Sequence, residues 1–289
     1  MSFTRILSDV HYGDRASRVR SLGQIGPLLD GPARIVVNGD TLDTRVGAHP
    51  QRTAELIAQV REFFAHQSPP ADLLTGNHDN DISDTHALEL AGGRVFITHG
   101  DVLFEDIVPW GRDAPLIRRL IAEENAKLTA AERAGLETQL AVIRRVAARL
   151  PQRHQVEPEF WKYVRSFLAD TLWPPDRALR ILRTWREAPG RAAALLQTHR
   201  PGAGFIVIGH FHRPGVWPTA GGRVVINTGS FCPPLGGTVV DVSADQLIVR
   251  RVREVRGEFR ADGVLAEFAI GEGGTPRRPA SPVGLRRAG

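Results

Sequence analysis

The sequence predicts an α/β fold carrying an all-helical insertion, and three observations lead there. Five short apolar runs (Phe3 to Leu7, Ile35 to Val37, Leu73-Leu74, Val95 to Ile97 and Phe205 to Ile208) each reach a Gly, Asn or Asp within the next three residues, the pattern of buried β-strands. Segments with helical periodicity separate the first of these runs. Between about residue 104 and residue 199 the pattern turns helical almost throughout, and strands return after it.

Taken in order, Phe3 to Leu7 is the first strand, and Ala16, Val19, Leu22, Ile25 and Leu29 recur at helical spacing behind it. After the strand at 35–37, Pro50 opens a helix whose apolar face is Leu56, Ile57, Val60, Phe63 and Phe64. Ala87 to Leu90, the turn Ala91-Gly92-Gly93 and Arg94 to Thr98 form a hairpin. Within the insertion, Asp113 precedes Pro115 at one helix start. Thr129 and Glu132 form a capping box that opens a helix running to about Leu150, where Pro151 stops it. Pro158 starts another, broken at Trp173-Pro174-Pro175. Two short helices follow at Asp176 to Glu187 and Arg191 to Gln197. The later strands are Phe205 to Ile208, Val224 to Ile226, Thr238 to Asp241 and Leu247 to Val252, with a weak hairpin extending to about Ile270. The division expected is a main domain of 1–103 and 200–270, a helical cap of 104–199 and a disordered basic tail of 271–289.

A chain of 289 residues, 42% apolar and 24% charged, has the composition of an ordinary globular protein. Cys232 is the single cysteine, which rules out an internal disulfide and a thiolate-rich zinc site. With no secretion-signal pattern and no run of apolar residues long enough for a membrane span, the expected location is cytoplasmic. The formal charge is +5, almost entirely arginine, since Lys127 and Lys162 are the only lysines. Such a surface favours anionic substrates.

Five polar segments follow the five strands: Asp9-Val10-His11, Gly39-Asp40, Gly76-Asn77-His78-Asp79, His99-Gly100-Asp101 and Gly209-His210-Phe211-His212. Open α/β sheets place ligands at strand ends. Singly, each segment says little; together and in order they supply seven metal ligands: Asp9, His11, Asp40, Asn77, His99, His210 and His212. A mixed oxygen and nitrogen set without sulfur suits manganese, iron or zinc, and argues against copper(I) or iron–sulfur clusters. Asp43 and Asp101 are further candidates for supporting roles. His49, His66, His86, His154 and His199 lie outside every segment.

These segments resemble, one for one, the motifs of the calcineurin-like metallophosphoesterase superfamily, and Asn227-Thr228-Gly229-Ser230 is similar to its Asn-Pro-Gly-Ser turn. The resemblance implies a two-sheet αββα sandwich and a dinuclear site. One ion takes Asp9, His11, Asp40 and His212; the other takes Asp40, Asn77, His99 and His210. It further implies hydrolysis of a phosphodiester or pyrophosphate bond by a metal-bridging hydroxide, with two divalent ions, manganese first and iron or zinc otherwise. His78 would then act on the transition state or the leaving oxygen, oriented by Asp79. The segment His99 to Leu103 and the helical insertion are similar to UDP-diacylglucosamine pyrophosphatases, from which His78 departs, since that family has arginine there. That likeness implies a small phosphoester or pyrophosphate substrate, nucleotide-linked to a lipid or sugar. The aromatic residues of the cap, Phe160, Trp161, Tyr163, Phe167, Trp173 and Trp185, are expected either to line an acyl groove or make peripheral membrane contact, or to supply the core that a block of helices needs, the reading the residues favour. A nuclease, a general phosphatase and a non-catalytic scaffold are the alternatives. Nucleic acid is the weaker partner, because no basic and aromatic side chains interleave along a strand.

Overall fold

Period-two alternation divides the strands between two sheets that share one core. The computed structural model describes residues 2–152, 176–271 and 276–277. The first sheet contains β1 (Thr4–Leu7), β2 (Arg34–Asn38), β3 (Ala71–Leu74), β9 (Thr238–Val242), β10 (Gln246–Val255), β11 (Glu258–Ile270) and β12 (Pro276–Arg277). Their order is β12-β11-β10-β9-β1-β2-β3, with β1, β2 and β3 parallel and the rest antiparallel. The second sheet contains β4 (Ala87–Leu90), β5 (Val95–Thr98), β6 (Phe205–Ile208), β7 (Gly215–Pro218) and β8 (Val224–Asn227). Its order is β4-β5-β6-β8-β7, with β5, β6 and β8 parallel.

Successive side chains on a strand point to opposite faces, and the clusters follow that rule. Ile6, Val36 and Leu74 from the first sheet meet Val95, Ile97, Phe205, Val207, Val224 and Ile226 from the second in the central core. Their neighbours Leu7, Ile35 and Val37 face the other way, against Leu56, Val60 and Phe64 of α2 (Pro50–Ala65). Phe96, Ile206, Ile208 and Val225 turn outward beneath Ala188, Ala192 and Leu196 of a long helix, α6 (Asp176–His199). The layers are therefore helix, sheet, sheet, helix: the αββα sandwich expected.

Several elements differ from expectation for identifiable reasons. The helix expected from Ala16 is confined to a 3-10 turn at Leu22–Ile25 and α1 (Gly26–Leu29). Upstream, Asp14 Oδ1 and Ser17 Oγ take the backbone N–H groups of Ala16 and Val19 at 2.6 and 3.1 Å, and so compete with a helical ladder. The capping box is present, but its helix splits into α4 (Ala130–Ala134) and α5 (Leu136–Ala147), because Gly135 adopts an extended conformation. The opposite holds at Pro189-Gly190, where two short helices were expected and α6 runs straight through. Buried Ala188, Ala192 and Leu196 hold both halves on the sheet, and Glu187 pairs with Arg183 and Arg191 at 2.7 and 3.3 Å. Edge strand β7 was not anticipated; its flanking Gly and Pro mask it. In the expected tail, Pro276–Arg277 pair with β11.

The described helices between 104 and 199 occupy two places. Ile117, Leu120 and Ile121 of α3 (Ala114–Asn125) pack on Val142, Ile143 and Val146 of α5 in a cluster of their own. Helix α6 instead covers the outer face of the second sheet. The helix expected after Pro158, with Phe160, Trp161, Tyr163, Phe167 and Trp173, lies outside the described residues. Among the described residues no helix is long and apolar enough to cross a membrane.

Candidate metal centre

Parallel strands deliver their C-terminal ends to one edge, and the five polar segments leave from those ends. Asp9 and His11 follow β1, Asp40 follows β2, Asn77 follows β3, His99 follows β5, and His210 and His212 follow β6. The two sheets are stitched at this edge. Asn38 Nδ2 donates to the carbonyls of Thr98 at 2.9 Å and Val207 at 3.4 Å, both in the opposite sheet. Asp9 N–H bonds to the Gly39 carbonyl at 3.1 Å, His11 N–H to that of Asp40 at 2.9 Å, and Gly209 N–H to that of His99 at 2.8 Å.

Two groups of potential ligands result, Asp9–His11–His212 and Asp40–His99–His210; within each, one ligand atom per residue lies within 4.8 Å of the others. The Nε2 atoms of His11 and His212 stand 3.0 Å apart, and that of His212 is 3.2 Å from Asp9 Oδ1. Asp40 Oδ2 lies 3.2 Å from His99 Nε2 and 3.9 Å from His11 Nε2, so one carboxylate oxygen approaches both groups. Ligands about 2.0–2.2 Å from a shared ion sit roughly 3–4 Å from one another, which these separations match.

The donor atoms also fit cations by what they lack. Asn77 Oδ1 is buried without a hydrogen-bond partner, and buried His99 Nε2 makes no well-formed hydrogen bond, standing 3.2 Å from Asp40 Oδ2. Buried polar atoms are normally satisfied, and both belong to the seven expected ligands. The opposite nitrogen of each inner histidine is anchored: His99 Nδ1 on the Asn38 carbonyl at 2.9 Å and His210 Nε2 on the Ile107 carbonyl at 2.8 Å. Fixing one ring nitrogen on a carbonyl aims the other at a metal.

Backbone strain concentrates at this edge. Among the described residues eight other than glycine have positive φ; five are Asp9, His11, Asp40, His210 and His212, and a sixth is Ile107. Each such residue costs about 1–3 kcal/mol, and the β-branched Ile107 is the least tolerant of it. Two glycines permit the close approach. A Cβ on Gly39, whose φ is +80°, would stand 2.5 Å from His99 Nδ1; one on Gly209 would press into the Asp9 carboxylate.

Charge is balanced locally. Burial opposes ionisation of Asp9, yet His11 and His212 beside it hold its carboxyl far below the usual range. Asp40 is likewise held low against burial, first by His99. Burial disfavours the proton on His11, but Asp9 and Asp40 raise it to about 9; His99 is raised in the same way by Asp40. Burial and the charge of His99 push His210 down to about 3. Burial raises Asp101 to about 6.

His78 stands beside the two candidate groups rather than in either. Its backbone N–H donates to Asp40 Oδ1 at 2.8 Å, and its ring stands edge-on to His11 with centroids 5.2 Å apart. Asp79 does not orient it, contrary to expectation. The Asp79 carboxylate instead accepts the backbone N–H groups of Asp40 at 2.9 Å, Thr41 at 2.7 Å and Gly76 at 2.7 Å, which ties two ligand loops together. Burial, with Asp40 nearby, raises Asp79 to about 7. The His78 ring is contacted by a pair instead: Arg45 Nη2 lies 2.8 Å and Asp43 Oδ2 3.1 Å from its Nδ1. The Arg45 guanidinium donates to the Asp43 carboxylate through two bonds, of 3.0 and 2.7 Å, and the Arg45 backbone N–H through a third, of 3.1 Å. Guanidinium only donates, so the shorter contact leaves Nδ1 accepting and the proton on Nε2. Burial and then Arg45 lower the pKa of His78, which keeps the ring neutral. Among the described residues no hydrogen bond engages Nε2.

The Asn227-Thr228-Gly229-Ser230 turn braces the site from behind. Asn227 Nδ2 donates to the Gly209 carbonyl at 2.7 Å, Ser230 Oγ to the Asp9 carbonyl at 3.2 Å, and Thr228 Oγ1 meets Ser8 Oγ, which in turn contacts Asp9 Oδ2. Sequence reasoning missed Arg45, Asn38 and Ile107. An arginine two residues after a candidate carboxylate was the one available signal for Arg45; a backbone carbonyl such as that of Ile107 has none. Cys232 is buried and burial raises its thiol, as a packing residue requires.

No family model matches the chain, and no curated protein matches it. Among solved structures it is similar to vacuolar protein sorting 29 from Cryptosporidium parvum, at 10% identity over 93% of this chain and 98% of that one, with a TM-score of 0.41. It is also similar to a dimetal phosphatase from Danio rerio, at 12% identity over 90% and 98%, with a TM-score of 0.42. A cold-active protein tyrosine phosphatase is similar at 15% identity over 96% and 81%, with a TM-score of 0.42. Likeness at this level says nothing about the chemistry of this chain.

Proposed function

We propose that this chain is a metal-dependent phosphoesterase that binds two divalent ions and hydrolyses a phosphodiester or pyrophosphate bond. One observation carries the proposal: two buried ligand groups share the reach of Asp40 Oδ2, and two of the seven expected ligand atoms make no well-formed hydrogen bond. Asp9, His11 and His212 would hold one ion, Asn77, His99 and His210 the other, with Asp40 between them. Such ions, when bound, activate water and neutralise charge on phosphoryl oxygens. Manganese is the first candidate on ligand chemistry, then iron or zinc.

The remaining work falls to the chain itself. His78 presents Nε2–H, a neutral donor for a phosphoryl oxygen or for the oxygen that leaves. Arg45, itself anchored on Asp43, holds the ring in that tautomer, and Asp79 holds the loops that carry Asp40 and Asn77 in mutual register. A strained, glycine-lined edge keeps the donors preorganised, so little reorganisation accompanies the reaction.

Support for a nucleotide-linked lipid or sugar substrate is the likeness of the His99 to Leu103 segment and of the helical insertion, and support for membrane contact is the aromatic content of that insertion. Of the six aromatic residues named for the cap, Trp185 is the one within the described residues; its Nε1 donates to the Phe211 carbonyl at 2.9 Å and its ring packs against the second sheet's cluster. Packing is its visible role. A single buried cysteine fits a reducing compartment, and the cytoplasm is the proposed location.

The test is hydrolysis by purified protein, first chelated and then reloaded with manganese, iron or zinc, across nitrophenyl mono- and diesters, nucleotide-sugars and DNA. Hydrolysis of a diester or pyrophosphate that chelation abolishes and metal restores is expected. Two bound metals without hydrolysis of any class would leave a metal-binding scaffold.

A further inference from the structure

The inserted segment reaches the two loops that carry His78 and its partners. Just past α5, Gln152 is buried, with 5% of its surface exposed. Its backbone N–H donates to the Val46 carbonyl at 2.9 Å and its Nε2 to the Asp43 carbonyl at 3.1 Å. The slot it fills exists only because residue 47 is glycine, since a Cβ there would overlap the Gln152 amide. Arg144, on α5, grips the other loop: its Nε donates to the Asn80 carbonyl at 2.6 Å and its Nη2 to that of Ser83 at 3.1 Å. The two loops are joined to each other by Thr44 N–H on the His78 carbonyl at 2.9 Å.

From this connectivity we infer that Gln152 is a positioning residue for His78, acting through the Asp43–Arg45 pair. Segment 43–47 has no regular secondary structure, and between Asp43 and Gly47 its backbone takes two hydrogen bonds from Gln152. Asp43 and Arg45 fix the ring only as well as that loop is fixed. The insertion is thereby part of the reacting site, although it supplies none of the seven ligands. Small displacements of a reacting group, even by a change remote from the chemistry, can cost about 10²-fold in rate.

Two variants of the full chain test this. Gln152→Met keeps the volume and removes the donor; Gly47→Ala keeps Gln152 and displaces its amide. The first readout is the ring ¹⁵N spectrum of the metal-free protein, with the His78 signals identified by their loss in His78→Ala. Both variants should shift His78 away from a single Nε2–H tautomer and leave the His99 and His210 signals in place, which also shows that the fold persists. The second readout is kinetic and rests on the phosphoesterase reading. In manganese-loaded protein kcat should fall roughly 10- to 100-fold on an alkyl ester, with KM and metal content unchanged. Gln152→Met should then add nothing to His78→Ala. Unchanged His78 signals would overturn the inference, as would an equal loss in the presence and absence of His78. If the wild-type protein hydrolyses nothing, the phosphoesterase reading fails by itself and the ¹⁵N spectra still decide whether Gln152 positions the ring.

Discussion

Asp40→Asn is the substitution that separates a shared carboxylate from two independent sites. The side chain is buried, with Oδ2 at 3.2 Å from His99 Nε2 and 3.9 Å from His11 Nε2. Asparagine keeps an oxygen able to accept the His78 N–H that now reaches Oδ1 at 2.8 Å, so the loop should survive. What disappears is one negative charge between two cation positions. At about 4 Å and an effective dielectric near 20, a unit charge pair is worth about 4 kcal/mol, which corresponds to about three decades of affinity. The loss should fall on both ions. Competitive titration with a chromophoric chelator should show both manganese affinities weakened by about 10³-fold, with circular dichroism unchanged. A variant that loses one affinity and keeps the other at the wild-type value would refute the bridging role.

Three further outcomes are expected. His78→Ala should keep both metals and lose about 10²–10⁴-fold in turnover on esters with poor leaving groups, with a smaller loss on nitrophenyl esters; loss of metal would assign His78 to ligation. Gly209→Ala should lower metal stoichiometry, because its Cβ would press into the Asp9 carboxylate; full occupancy by elemental analysis would show that the strand end can yield. Asn38→Leu removes the donor shared by the Thr98 and Val207 carbonyls, and about 1–3 kcal/mol should be lost in urea unfolding of the metal-free protein; an unchanged midpoint would mean that this stitch contributes nothing.

The strands were legible because each buried run is short, apolar and closed by a polar segment, and the unbroken apolar character of Val95 to Ile97 or Phe205 to Ile208 follows from having two covered faces. The order of the polar segments along the chain is also their order at the sheet edge, which is why seven dispersed residues could be grouped from sequence. What escaped was set by tertiary contacts. Pro189 reads as a helix break, but burial of Ala188 and Ala192 on the second sheet outweighs the lost hydrogen bond. Gly135 sits inside an apolar helical pattern, and its extended conformation shows only in three dimensions. Asp79 follows His78 directly, yet adjacent side chains diverge; the carboxylate that faces the ring comes from residue 43, on another loop. Gln152 lies far from every motif in sequence, and only the fold carries it to Asp43. Excising 113–199 would uncover Phe96, Ile206, Ile208 and Val225 and remove the grips on both His78 loops.

The central claim is a pair of metal ions held by this set of side chains, and anomalous diffraction from crystals of the manganese-loaded protein tests it most directly. The account predicts two anomalous peaks at the strand edge, one within bonding distance of Asp9, His11 and His212, the other of Asn77, His99 and His210, with Asp40 reaching both. A single peak, or two peaks elsewhere, would contradict it.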